Sequence, residues 1–118
     1  MAPRDPEDLL PLSPPVFSIL LTQGTQAMHG YAVMQELERR TEGREALLPG
    51  SLYTTIARMV DDELIEEVPA PADEPSTDRR RRFYKATRFG RAVARAEATR
   101  LDKLLQLARD QKLIRGTP

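Results

Sequence analysis

The chain has no cysteine and no tryptophan, one histidine, three phenylalanines and three tyrosines in 118 residues. The lack of cysteine excludes disulfides, thiol chemistry and any cysteine-ligated zinc finger, and a cytoplasmic location is the simplest expectation. So few aromatics exclude an extended stacking platform for bases. No apolar run approaches the length of a membrane-spanning helix, so no membrane is expected among its partners. Residues 1–15 lack the apolar core of a secretory signal. Net charge is also missing, with 18 basic against 18 acidic side chains. That rules out a chain basic throughout. It does not rule out a basic patch.

The charges are segregated. From Asp61 to Asp78 there are eight acidic residues and no basic one, and from Arg79 to Arg100 nine basic residues and one acidic. Such an arrangement places a local positive field on a neutral protein, and phosphates respond to the local field. The hydrophobic fraction of 40% suits one small globular domain.

No catalytic apparatus is legible. No serine or cysteine nucleophile is paired with a base in a recognisable motif, no glycine-rich phosphate loop occurs, and no cluster of metal ligands is present. Neither cofactor nor metal is expected. His29 reads as a structural residue that fixes the start of a helix rather than a metal ligand.

The stretch that organises the chain begins at Pro49, which suits a first helical position. At helical spacing Leu52, Ile56, Met59, Val60 and Leu64 form an apolar stripe, and Ser51, Thr54, Thr55, Arg58 and Asp62 fall opposite. Taken alone this is an ordinary amphipathic surface helix. Hydroxyl residues around one arginine also suit a major groove. Asp61, Asp62 and Glu63 repel phosphates, so only the front half would lie deep in such a groove.

Around it, residues 1–12 are proline-rich and acidic and are expected to form a flexible arm or a loosely docked turn. A first helix starts at the N-cap candidate Ser13, with Pro14 and Pro15 in its tolerant first turn, and stops at Gly24. A second runs from Gly30 to Arg40 with Tyr31, Met34 and Leu37 inward. Ala46-Leu47-Leu48 forms a short apolar link, read as a brief strand. Ile65–Val68 and Arg81–Ala86 read as two strands of a hairpin around a loop containing Pro69, Pro71 and Pro75. In the returning strand Phe83 takes the core side. Thr87 caps a long final helix reaching about Leu113, on which Val93, Ala94, Leu101, Leu104, Leu105 and Ala108 share a stripe and Glu97 counts among the polar positions.

This order is mainly α with a small β component (α+β): a winged helix-turn-helix over 13–86, with a two-stranded wing, and a C-terminal dimerisation helix over 87–118. The stripe packs back on the first helix, against a second copy, or both. In such a domain the third helix enters the major groove and the hairpin meets the backbone or minor groove. The DNA-binding set is then Ser51, Tyr53, Thr54, Thr55 and Arg58 on the helix, with Arg79, Arg80, Arg81, Arg82 and Lys85 at the wing. Tyr53 either packs by its ring or reaches a phosphate. The dimerisation set is Val93, Leu101, Leu104, Leu105 and Ala108.

Four segments carry a resemblance to a known family: Met28-His29-Gly30-Tyr31, Leu48-Pro49-Gly50-Ser51-Leu52-Tyr53, Arg58–Ile65, and Arg82-Phe83-Tyr84-Lys85-Ala86-Thr87-Arg88-Phe89-Gly90. Together they resemble the PadR family of bacterial transcriptional regulators, in its shorter class with a single C-terminal helix. The resemblance implies a homodimeric repressor of a double-stranded, pseudo-palindromic operator, released by a small molecule or stress signal, with an effector site at the dimer interface. The sequence departs from the family pattern at Leu48, where a serine cap is frequent, at Thr54, where proline is frequent, and at Glu63, where glycine is usual. A protein-interaction module and a ligand-binding dimer without DNA binding are the competing functions.

Overall fold

A computed structural model describes residues 4–44, 48–72 and 81–115. Four helices and three short strands follow one another as α1 (Pro14–Gln23), β1 (Met28–His29), α2 (Gly30–Arg40), α3 (Pro49–Asp61), β2 (Ile65–Val68), β3 (Phe83–Ala86) and α4 (Arg88–Asp110). The fold is α+β, as expected, with the two wing strands β2 and β3 joined by β1 into a three-stranded sheet. Ala46 and Leu47, expected to begin a short strand, lie outside the described residues, as does the acidic loop containing Asp73, Glu74 and Asp78.

Helix boundaries follow local chemistry. Ser13 sits at the N-cap of α1 in extended backbone without a side-chain capping bond, and the prolines of the first turn set the helical φ in its place. Gly24 ends the helix at φ 56°. His29 caps α2, its Nδ1 accepting the Ala32 N–H at 3.1 Å. This is the structural role expected of it. Leu48 occupies the N-cap of α3 without a side-chain bond.

The exit from α3 solves a steric problem with an unusual residue. Leu64 N–H donates to the Met59 carbonyl at 2.9 Å and Glu63 N–H to the Val60 carbonyl at 3.0 Å. This double closure requires a left-handed residue after the cap, and Glu63 supplies it at φ 62°. Leu64, placed on the helical stripe by its spacing, is instead the first residue beyond this turn and drops into the core.

The core is assembled from Val16, Ile19 and Leu20 of α1, Val33 of α2, Leu52, Ile56 and Met59 of α3, Leu64 and Ile65 beyond it, and Val93 and Ala94 of α4. Val93 is fully enclosed. It is therefore a residue of its own chain's core, and its expected place on a dimer surface is corrected. Glu97, expected at the surface, is 1% exposed. Its carboxylate accepts the Leu12 N–H at 2.6 Å and the Arg100 Nε–H at 2.5 Å, and these partners hold its pKa below the ordinary glutamate value, the Arg100 bond most and burial opposing. That contact favours the docked turn over the flexible arm. Pro6–Leu9 forms a single 3-10 turn against α4, and Leu9, Leu10 and Leu12 pack on the core.

The sheet order is β1-β3-β2, all antiparallel, with His29 opposite Phe83 and Val68 opposite the same residue on the other side. The wing's returning strand is thus the middle strand. Its Phe83 is buried on the core side, as its alternation indicated, edge-on to the His29 ring at 5.2 Å between centroids. Thr87 then starts α4, accepting the Gly90 N–H at 2.8 Å while its own hydroxyl donates to the Glu63 carbonyl at 2.5 Å.

Candidate nucleic-acid interface

The α3 helix buries Leu52, Ile56 and Met59, and this fixes what its other face presents. Ser51, Thr54 and Arg58 are exposed and Thr55 is partly so, all on the side opposite the core. The two threonine hydroxyls are engaged along the helix: Thr54 Oγ1 donates to the Gly50 carbonyl at 3.0 Å and Thr55 Oγ1 to the Ser51 carbonyl at 2.8 Å. Such bonds hold the side chains in defined orientations.

Tyr53 lies on a different flank. It is 57% exposed and borders an open cleft of about 870 Å³ between α3, the start of α2 and the wing. Arg81, Arg82 and Tyr84 form the wing side of that cleft and His29 and Tyr31 the α2 side. Arg81 Nη1 stands 3.1 Å from His29 Nε2, and Arg82 faces Glu67 of β2 at 3.6 Å. Arg81 and Arg82 are therefore gathered beside the tyrosines.

The expected residues thus divide into groups. Ser51, Thr54, Thr55 and Arg58 share one face of α3; Tyr53, Arg81 and Arg82 share the cleft beside it. Lys85 is exposed on β3 opposite Glu66 and does not line the cleft. Arg79 and Arg80 lie outside the described residues.

Tyr31 was not anticipated at this surface. It was expected in the core with Met34 and Leu37, yet it is 48% exposed. The inward line of α2 is Gly30, Val33 and Leu37. The signal lay in Gly30, where a Cβ would approach Tyr53 Cε1 to 3.1 Å and Ile56 Cδ1 to 3.4 Å. A glycine at a helix start can mark the point of close approach, which here turns its neighbour outward.

The rear of α4 is a second exposed surface. Leu104 is 50% exposed, Leu105 45% and Leu107 61%, while Leu101 and Ala108 are half-buried. Leu107 was not among the expected residues. The front half of the same helix is embedded through Gly90, Val93, Ala94 and Glu97. These leucines leave the rear of the helix apolar and uncovered. Among the described residues no group of three or more histidine, cysteine, aspartate or glutamate side chains could hold a metal ion, and no helix is long and apolar enough to cross a membrane.

The family model described as the transcriptional regulator PadR-like family matches residues 19–96. The chain matches none of the curated proteins. Among solved structures it resembles a PadR family transcription regulator from hypervirulent Clostridium difficile R20291, with a TM-score of 0.69 at 20% identity over 86% of this chain and 100% of that one. A PadR-like transcription factor from Bacteroides fragilis gives 0.62 at 20% identity, over 80% and 86% of the two chains. RosR of H. salinarum gives 0.58 at 24% identity, over 90% and 98%. At these identities the structural likeness is one of fold.

Proposed function

Because the chain belongs to the PadR-like family of transcriptional regulators, and that family regulates transcription rather than catalysing reactions, we propose that it is a repressor that binds a pseudo-palindromic operator as a homodimer. The observation that carries this reading is the outer face of α3, where Ser51, Thr54, Thr55 and Arg58 stand together and clear of the core. In the proposed complex this face enters the major groove. Arg58 donates to a guanine edge. Tyr53 on the flank of α3, with Arg81 and Arg82 beside that helix, holds the phosphate backbone, which sets register without reading sequence. Lys85, Arg79 and Arg80 add to the same field.

Dimerisation uses the rear of α4, with Leu101, Leu104 and Ala108 along the middle of the stripe and Leu105 and Leu107 on its flanks. Two copies related by two-fold symmetry place their α3 helices in half-sites about one helical turn apart, or a multiple of it. A small molecule held between the paired helices alters their crossing angle, and with it the separation of the two α3 helices.

The test is fluorescence anisotropy of the purified protein with the DNA upstream of its own gene, against a scrambled duplex, at two salt concentrations. The expected result is tight binding that weakens steeply with salt and collapses in Arg58→Ala, with the salt slope little changed. Sedimentation of a Leu104→Asp, Leu105→Asp variant is expected to give a monomer. Failure of the dimeric wild type to bind either duplex would overturn the repressor reading in favour of a protein-interaction module or a ligand-binding dimer.

A further inference from the structure

The threonines of α3 have already spent their hydroxyl protons on the helix, Thr54 on the Gly50 carbonyl and Thr55 on the Ser51 carbonyl. A threonine hydroxyl has one proton and two acceptor lone pairs. What each residue keeps for an outside partner is an acceptor oxygen and a methyl group. Arg58, one turn beyond Thr54 on the same face, has donors only. Releasing a hydroxyl so that it could donate outward would forfeit its carbonyl bond, a penalty of about fivefold in affinity.

Base pairs differ in how they meet such a surface. In the major groove an A·T pair offers the adenine N6 amino donor and the thymine methyl. A G·C pair offers the cytosine N4 donor without a methyl, and guanine presents only the acceptors N7 and O6. An acceptor paired with a methyl group complements the first, meets half of the cytosine edge, and opposes guanine with acceptor against acceptor. Arg58 has the reverse preference.

We infer that Thr54 and Thr55 read A·T pairs, accepting from adenine N6 and packing against the thymine methyl, while Arg58 reads the guanine of a neighbouring pair. The inference rests on the proposed binding of DNA by α3 and adds to it a base class for each residue. Hydroxyl residues on a reading helix are ordinarily ambiguous, because they both donate and accept. Here the backbone bonds remove half of that ambiguity.

The experiment uses the full-length chain and a tight duplex selected from a random-sequence library. Anisotropy is then measured on copies in which single thymines are replaced by uracil, which removes the methyl, or single adenines by unsubstituted purine, which removes the amino group. The wild type is expected to lose about fourfold at a matched uracil, the worth of one buried methyl, and about fivefold at a matched purine. Thr54→Ser and Thr55→Ser lack the methyl and are expected to lose the uracil penalty while keeping the purine penalty. Thr54→Val and Thr55→Val keep the methyls and are expected to do the reverse, with far-UV circular dichroism reporting that each variant is folded. A duplex bound tightly but indifferent to both replacements, or penalties that do not change in the variants, overturns this inference and leaves DNA binding intact. Absence of any selected duplex overturns both.

Discussion

A methyl group added at Gly90 separates two elements that the fold holds in direct contact. A Cβ built there falls 1.9 Å from the Leu64 carbonyl oxygen, 2.8 Å from its carbon and 3.1 Å from the Leu64 Cα. Close carbon–oxygen approaches in proteins stop near about 3.3 Å, so α4 and the exit from α3 must part by about 1.4 Å. Both sides are backbone and neither can rotate away. The Leu64 carbonyl also accepts the Thr87 N–H at 3.0 Å, and the Thr87 hydroxyl, whose proton goes to the Glu63 carbonyl at 2.5 Å, lies 3.3 Å from it. Overpacking costs about 1–3 kcal/mol, and loosening the Thr87 N–H bond adds about 1 kcal/mol. Alanine returns about 1 kcal/mol through its better helix propensity. Gly90→Ala is therefore expected to destabilise the protein by about 1–3 kcal/mol, which at about 4 °C per kcal/mol lowers Tm by about 4–12 °C. Gly50 is the internal control, because it too is helical but a Cβ there meets nothing within 4 Å. Gly50→Ala is expected to raise stability by about 0.5–1 kcal/mol. Both variants are melted beside the wild type by far-UV circular dichroism at equal protein concentration, since self-association raises apparent stability. Gly90→Ala as stable as the wild type, with Gly50→Ala behaving as stated, would refute the close packing of α4 on Leu64.

Three further substitutions probe other features of the fold. Glu97→Ala deprives the Leu12 N–H and Arg100 of their shared acceptor and is expected to cost about 2–4 kcal/mol in urea unfolding at neutral pH. Because the folded pKa of Glu97 is depressed, its contribution is present above the ordinary glutamate pKa and is lost as the pH falls below it. The gap between wild type and Glu97→Ala should therefore narrow at about pH 3. Glu63→Gly relieves a side chain at φ 62° and removes an acid from the negative end of α3. After the extra entropy of glycine in the unfolded chain is counted, a gain of about 0.5–1 kcal/mol in the same assay is expected. On the surface, hydrogen bonds from Arg39 and then Arg40 lower the Glu36 pKa to about 2. An NMR titration at low salt should find that carboxyl titrating well below the other glutamates, and 1 M salt should move it back towards them.

Much of the architecture was legible because the chain punctuates its helices with chemistry that has one local meaning. Pro14 and Pro49 start helices, Gly24 ends one, and Thr87 caps another, so α1, α2, α3 and α4 fall close to where spacing put them. The outer face of α3 was legible for the same reason, since its period follows from Leu52, Ile56 and Met59. What escaped depends on distant partners. β1 has two residues, too few to show a period, and exists because β3 passes beside it more than fifty positions later. Glu97 is polar by composition and buried because Leu12 and Arg100 satisfy it. Tyr31 fitted an apolar spacing, but the close approach at Gly30 rotates α2 by one position. On α4 a single stripe serves two ends: its front belongs to the core, which claims Val93, and its rear remains uncovered.

The central place of β3 also orders events during synthesis. β1 and β2 pair with β3 and with no other described strand, so neither finds its ladder until residues 83–86 have been made. The core itself stays open until Val93 and Ala94 arrive, and the exit from α3 has no neighbour until Thr87 and Gly90 do. A nascent chain on the ribosome thus carries the apolar faces of α1, α2 and α3 uncovered from the completion of α3 at Asp61 until Val93 and Ala94 arrive to close the core. Truncations before the front of α4 would leave that state permanent, a collapsed and association-prone species in place of a smaller domain.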